Sequence, residues 1–280
     1  MRNLRIVVTD YCNLNCSYCY NEGNSKHSPI THEIDYISLH NVIPFLVRFF
    51  DDIIITGGEP MLHPQIEQIL QSFITERKVP RITTNGTLLE KLIDTNVYNH
   101  IQRFNISIDK FDPKSFRLRT TTKAIDYYKI IESIKRLVLD KKDVSLNVIC
   151  DESIGSKEIE DIFFNMQLLG VNQIKFIPVI GCDERFVIHS ILKNLDGGIF
   201  ISQKLGIIEY LYSGLSVKIV QQYCNMKKCD RCKDESFYRL NYDGKIYKCL
   251  KDKSNFFDLF NNYKNSDLIE KYLQFARNVE

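Results

Sequence analysis

Cys12, Cys16 and Cys19 stand near the amino end of the chain in a C-x-x-x-C-x-x-C spacing. Thiolates hold iron–sulfur clusters and zinc alike, but a four-iron cluster ordinarily takes four cysteines. Three on one short loop leave one iron without a protein ligand. An open coordination position is what separates a reactive metal site from a structural one. The competing reading is a zinc knuckle, which needs a fourth Cys or His close by. His27 and His32 are the nearest histidines, in a polar, irregular stretch. Near the other end, Cys229-x-x-Cys232 and the more distant Cys249 make a second three-ligand set, with Cys224 available as a fourth. On spacing alone that set fits a zinc ribbon or a second cluster.

Other residues could serve a ligand bound at the first cysteine group. Gly57 and Gly58 suit a place where backbone must approach a ligand closely, because a Cβ would intrude. Glu59 could receive an ammonium group through a charge-assisted contact, and Pro60 suits the first position of a helix. Asn85 and Ser107 are polar candidates that could equally cap or satisfy backbone. Two further cysteines, Cys150 and Cys182, follow strand-like runs. A thiol there could act as a reactive group at the strand ends, the hydrogen-atom donor if the chemistry is the one the family resemblance below implies, or ligate the second cluster. Cys182 is the stronger candidate, and an ordinary buried cysteine is the alternative.

These residues need a scaffold, and the sequence supplies a repeating one. Strand-like runs at Leu4–Val8, Ile53–Thr56, Arg81–Thr84, Phe104–Ile108, Ser145–Ile149 and Ile174–Pro178 alternate with helix-like stretches. The latter are Glu33–Phe50, Pro64–Arg77, Leu88–Asn96, Lys123–Leu139 and Lys157–Leu169. Such alternation reads as βα units around a parallel sheet. The expected fold is α/β, an open, partial (β/α)6 barrel of the TIM type, with a small C-terminal domain carrying the second cysteine set. In barrels the chemistry sits at the carboxyl ends of the strands. The cysteine loop, Gly57-Gly58-Glu59, Asn85-Gly86 and Ser107 all fall there, after strands one to four. Beyond about residue 185 the alternation fades, so 1–185 is read as the barrel and 186–280 as the appended domain. Within the latter, Ile199–Tyr212 reads as a helix, Ser216–Val220 as a strand and Asp267–Asn278 as a closing helix. Phe237–Tyr242 and Lys245–Cys249 read as a hairpin turned by Asp243-Gly244.

Composition sets outer limits. The 280 residues suffice for one large domain or a domain with an appendage, and a formal charge of +2 leaves no electrostatic footprint for nucleic acid or an anionic membrane. Neither a secretory signal nor a bilayer-length apolar run is seen. Nine cysteines without a signal favour metal ligation over disulfides and a cytoplasmic location.

The cysteine loop with Tyr18, Gly57-Gly58-Glu59-Pro60 and Thr83-Thr84-Asn85-Gly86 together resemble the radical S-adenosylmethionine superfamily. Within it the chain is similar to the GTP cyclases of molybdenum-cofactor biosynthesis. That likeness runs through Leu4–Asp10, Ile55–Leu62, Asn105–Asp109 and the hairpin from Arg239 to Leu250, and so covers most of the chain. The resemblance implies a 4Fe–4S cluster on Cys12, Cys16 and Cys19 that binds S-adenosylmethionine and releases a 5′-deoxyadenosyl radical. It places Tyr18 at the adenine side and Glu59 at the methionine ammonium. It also implies an auxiliary 4Fe–4S cluster of the twitch or SPASM kind on Cys229, Cys232 and Cys249, and an electron donor such as a flavodoxin or ferredoxin.

Departures from that cyclase bear on the substrate. Lys233-Asp234-Glu235 follows Cys232 where the cyclases carry an arginine-rich stretch, leaving Arg239 alone. The chain ends Asn278-Val279-Glu280 where they end Gly-Gly, and its Cys232–Cys249 loop is longer. The scaffold is expected to carry over and the reaction to differ. The leading expectation is hydrogen-atom abstraction from a small-molecule or nucleotide-like substrate, completed as cyclisation, oxidation or epimerisation. Maturation of a ribosomally made peptide is the second enzymatic reading, and a zinc-stabilised binding protein the non-enzymatic one.

Overall fold

A computed structural model describes residues 2–19, 31–120, 127–204, 206–221, 237–248 and 256–264. Six parallel strands run in sequence order across the middle of its sheet: β1 (Asn3–Val7), β2 (Asp52–Thr56), β3 (Arg81–Thr84), β4 (Arg103–Ser107), β5 (Asp143–Cys150) and β6 (Gln173–Pro178). Helices follow them: α1 (Tyr36–Phe49), α2 (Ile66–Thr75), α3 (Glu90–Ile93), α4 (Asn96–His100), α5 (Pro113–Thr120), α6 (Tyr127–Leu139), α7 (Ser156–Leu169) and α8 (Glu184–Lys193). This is the expected open barrel.

Alternation along each strand sorts the side chains into two surfaces. Leu4, Ile6, Ile53, Ile55, Ile82, Phe104, Ile106, Leu146, Val148, Ile174 and Phe176 are almost wholly buried in the apolar layer shared with the helices. The intervening residues, Arg5, Arg81, Arg103, Asn105, Asn147 and Lys175, face the other way, into the barrel. A barrel interior is usually packed with branched apolar side chains. Here the lumen is largely polar, and most of the apolar packing lies outside it.

Local rules explain most element ends. Asp35 caps α1 by accepting from the Ser38 amide at 2.7 Å. The stretch expected as one helix over Leu88–Asn96 is instead two short ones, because Thr95 leaves helical geometry and its side chain caps α4. Helix α7 ends at Gly170, whose φ of 70° suits the left-handed stop that glycine favours.

Later strands extend both edges of the six-stranded array. On one side come β9 (Leu215–Val220), parallel to β6, then β8 (Ile207–Tyr212) and β7 (Ile199–Lys204). On the other come β10 (Phe237–Leu240), parallel to β1, then β11 (Lys245–Tyr247) and β12 (Phe256–Asp258), followed by the short α9 (Leu259–Asn262). The β10–β11 hairpin forms as expected, with Gly244 at φ 75° in its turn. The helix expected over Ile199–Tyr212 is wrong: β7 and β8 pair antiparallel there. Ile, Phe and Tyr dominate the segment, and Gly206, at φ 72°, turns the chain back so that β8 can dock on β9. The closing helix expected at Asp267–Asn278 lies outside the described residues. Among the described residues no helix is long and apolar enough to cross a membrane.

Candidate active site

The cysteine loop leaves the carboxyl end of β1 and is clamped from two sides. On the β2 side, the Gly58 amide donates to the Thr9 carbonyl and the Glu59 amide to that of Tyr11, each at 2.8 Å. This approach explains the glycine pair. A Cβ on Gly57 would stand 2.6 Å from the Thr9 oxygen, and one on Gly58 would stand 2.2 Å from the Tyr11 oxygen. What comes close to the glycine pair is backbone at the base of the cysteine loop itself. Gly58→Ala is therefore expected to displace that loop, costing about 1–3 kcal/mol and lowering the iron retained by purified protein. Unfolding midpoints and iron assays check both.

On the β4 side, α5 presents its last carbonyls, the acceptors a helix end leaves unpaired. Arg119 O takes the Ser17 amide and Thr120 O the Asn15 amide, each at 3.1 Å. The Arg119 side chain then joins four elements. Its Nε donates to Asp109 at 2.8 Å, its Nη1 to Asp151 at 3.0 Å and its Nη2 to the Ile149 carbonyl at 3.3 Å, and its guanidinium lies 4.8 Å from the Tyr18 ring centre. The Tyr18 hydroxyl reaches Asp109 at 3.5 Å. Burial, then the Asp109 charge, raise the Tyr18 phenol far above its ordinary range. Asp109 is raised by burial even with Arg119 beside it, so the acid's desolvation exceeds the help of its partner.

Glu59 has no exposed surface and ties the ends of β2 and β3 together. Its carboxylate accepts from Thr84 Oγ1 at 2.6 Å, the Asn85 amide at 2.7 Å and the Met61 amide at 3.2 Å. Burial pushes it up to about 7 against those three lowering contacts. Asn85, thus fixed, directs Nδ2 to Cys12 Sγ at 3.7 Å and to Asn13 Oδ1 at 2.9 Å. Thr87 completes the triangle, taking Asn13 Nδ2 at 2.8 Å and donating to Asn85 Oδ1 at 2.6 Å. Ser107 ends β4, half-buried, in register with Asn147 of β5.

The loop suits a cluster in its donor chemistry. Cys12 and Cys16 are partly buried and Cys19 is exposed. Burial pushes the Cys12 thiol up to about 12, so a free thiolate is disfavoured there, whereas coordination to iron removes the proton outright. Amides from Leu14, at 3.4 Å, and Asn85 already aim at that sulfur, as the donors that orient a metal ligand do. Among the described residues no three His, Cys, Asp or Glu side chains close on a single ion. Thiols that serve separate irons of one cluster do not need to.

Cys150 shares the helix-facing side of β5 with Val148 and lies in the apolar core, so it does not turn toward the mouth. Its thiol is pushed up to about 12 by burial and by nearby Cys182. Cys182 sits after β6, partly buried, raised by burial and by Glu152 and Asp151. Cys224, Cys229, Cys232 and Cys249 lie outside the described residues.

Sequence reading missed the lumen. Asp52 pairs with Arg103 at 2.7 Å and with Arg81 at 3.8 Å, closing its floor. Above them stands Lys175, whose backbone is in the ladder of β6 and whose side chain is partly buried among other cations. Burial first, then the charges of Arg81, Lys218 and Arg5, lower it to about 8. Arg239 pairs in register with Arg5 across β10 and β1. Arg81 Nε and Asn147 Oδ1 are buried without hydrogen-bond partners. Neither spacing nor periodicity flagged these cations, since they come from six different strands. Lys175→Met is expected to stabilise the protein by about 2–3 kcal/mol below pH 8. A lysine lowered in the folded state costs stability while charged, and the cost fades as pH rises from about 8 toward its ordinary 10.5. Denaturant melts across that range measure the narrowing gap.

The Radical SAM superfamily model matches residues 6–163. A probable GTP 3′,8-cyclase of Methanocaldococcus jannaschii is 29% identical over 97% of this chain and 92% of its own length. One of Methanosarcina mazei is 28% identical over 98% and 84%. In fold, the chain is similar to Streptococcus suis SuiB bound to precursor peptide SuiA, with a TM-score of 0.71 at 13% identity over 99% of this chain and 67% of that one. It is also similar to native anSMEcpe with bound AdoMet, with a TM-score of 0.64 at 15% identity over 89% and 74%. A family match over more than half the chain, on a cysteine loop seated at the strand ends of an open barrel, makes this protein an enzyme of the radical S-adenosylmethionine superfamily.

Proposed function

We propose that this enzyme reductively cleaves S-adenosylmethionine on a 4Fe–4S cluster, the 5′-deoxyadenosyl radical so formed removing a hydrogen atom from an anionic small-molecule or nucleotide-like substrate in the lumen. Cys12, Cys16 and Cys19 hold the cluster and leave one iron for the methionine amine and carboxylate. Tyr18, Gly57, Gly58, Glu59, Asn85 and Ser107 form the rest of the cofactor's surroundings. Arg119, absent from the sequence expectation, holds Tyr18 and Asp109 in place at the same mouth, its own charge already met by Asp109 and Asp151. Cys229, Cys232 and Cys249, with Cys224 as a fourth candidate, hold a second 4Fe–4S cluster that binds substrate or accepts an electron. The net reaction is then cyclisation, oxidation or epimerisation, with Cys182 as the candidate hydrogen-atom donor for the last. A flavodoxin or ferredoxin of the cytoplasm supplies the electron.

The observation that carries the substrate class is the lumen. Lys175 is held among Arg5, Arg81 and Lys218 at a cost to its own charge, and a bound anion would offset that cost. The curated relatives are named for a reaction on GTP, itself an anionic nucleotide. The acidic Asp234-Glu235 pair after Cys232, where the family resemblance leads one to expect arginines, supports a substrate other than GTP. Anaerobically purified protein should be brown, carry iron and sulfide for two clusters, and form 5′-deoxyadenosine from S-adenosylmethionine and dithionite. Zinc in place of iron would refute the radical reading. Turnover of a ribosomal peptide, with no effect of Lys175→Met, would refute the anionic substrate.

A further inference from the structure

Asp10 lies two residues before Cys12 and is buried, with 3% of its surface exposed. It is bonded reciprocally to His32, where the chain returns from the cysteine loop. The Asp10 amide donates to the His32 carbonyl at 3.0 Å, and the His32 amide donates to Asp10 Oδ1 at 2.7 Å. His32 Nδ1 meets Asp10 Oδ2, also at 2.7 Å. Thr9 Oγ1 adds a bond to the same carbonyl, and Thr9 bridges Glu33. These contacts fix the imidazole, and its flat face is given to a third element. The ring lies parallel to that of Tyr242, with centres 4.8 Å apart and planes 8° apart. Tyr242 opens the turn of the β10–β11 hairpin, and Cys249 follows that hairpin two residues after Tyr247. Nothing in the radical chemistry described above uses His32 or Tyr242.

We propose that His32 is a positioning residue, stacked on Tyr242 so that the turn of the hairpin leading to Cys249 keeps one orientation against the strand end leading to Cys12, beyond the point where the β1–β10 ladder stops at Ile6 and Leu240. The proposal rests on the radical S-adenosylmethionine reading only for its consequence in turnover. The joint is small, a single ring pair and one buried carboxylate, so it fixes an orientation without contributing much to overall stability.

Hydrogen exchange on the full chain tests the joint itself, with no need for turnover. In Tyr242→Ala the amides of Asp10, His32 and Ile34 should exchange about tenfold faster, although none belongs to the altered hairpin. In His32→Ala the amides of Asn241 and Gly244 should respond likewise. Tyr242→Phe keeps the stack and should match the parent protein. In 5′-deoxyadenosine formation, His32→Ala and Tyr242→Ala should raise the KM for S-adenosylmethionine severalfold and leave kcat within about twofold. Parental exchange at Asp10, His32 and Ile34 in Tyr242→Ala would overturn the proposal. So would an effect of Tyr242→Phe equal to that of Tyr242→Ala, or coupled exchange with an unmoved KM. Failure of the radical reading would show separately, as no 5′-deoxyadenosine from the parent protein.

Discussion

Replacing Cys12, Cys16 and Cys19 together by Ala is expected to abolish 5′-deoxyadenosine formation and to remove only the iron and sulfide of one cluster, leaving about half the total. The physical basis is that a thiolate cannot be replaced by water or a neighbouring side chain at this loop. Among the described residues no alternative group of three His, Cys, Asp or Glu side chains is placed to hold a metal in their stead. Structure should survive the change. The loop is held through its backbone, by the Arg119 and Thr120 carbonyls on one side and the Gly58 and Glu59 amides on the other. Asn85→Ala is the graded companion. Losing a donor aimed at the Cys12 sulfur should cost about ten- to a hundredfold in cluster affinity or activity. Full 5′-deoxyadenosine formation by the triple variant, measured chromatographically with dithionite, would remove the cluster from Cys12, Cys16 and Cys19.

Arg119→Ala should have the largest effect on stability, roughly 3–5 kcal/mol. The guanidinium offsets two carboxylates at once, and the Asp109 side chain keeps only 2% of its exposure. Removing the cation leaves that carboxylate buried against its burial cost, with Asp151 and the Ile149 carbonyl losing their donor too. Tyr18 loses the face-on cation that holds its ring. Arg119→Lys should recover only part of the loss, because an ammonium cannot span Asp109, Asp151 and Ile149 in one planar fork. Chemical denaturation of both variants gives the comparison. A destabilisation of Arg119→Ala below about 1 kcal/mol would place Arg119 among ordinary surface ion pairs.

His32 and Arg119 show why parts of the site were hidden in the sequence. His32 reads as a histidine in an irregular polar stretch, and only as a weak zinc candidate. Its role depends on Tyr242, more than 200 residues away, and no local pattern encodes that stack. Arg119 lies on a short helix rich in Arg and Lys, where one guanidinium looks like the next. The misreading of Ile199–Tyr212 has a related cause. Apolar residues there are dense enough to satisfy helical spacing, and the choice of strand follows from β9 offering an edge for β8 to pair with.

What the sequence determined by itself is which residues stand at the strand ends: the three-cysteine loop, the glycine pair, the Asn85 turn, and the six βα units that bring those ends together. Those signals are local, because ligand spacing, strand alternation and turn residues act over a few positions. Tertiary structure decided what surrounds the chemistry. The cationic lumen, the Arg119 hub, the Glu59 tie and the His32–Tyr242 stack each join residues from separate strands and loops. Their geometry exists only once the sheet has curled and its register is set, since electrostatic and packing contacts depend on distance in space and not on separation along the chain.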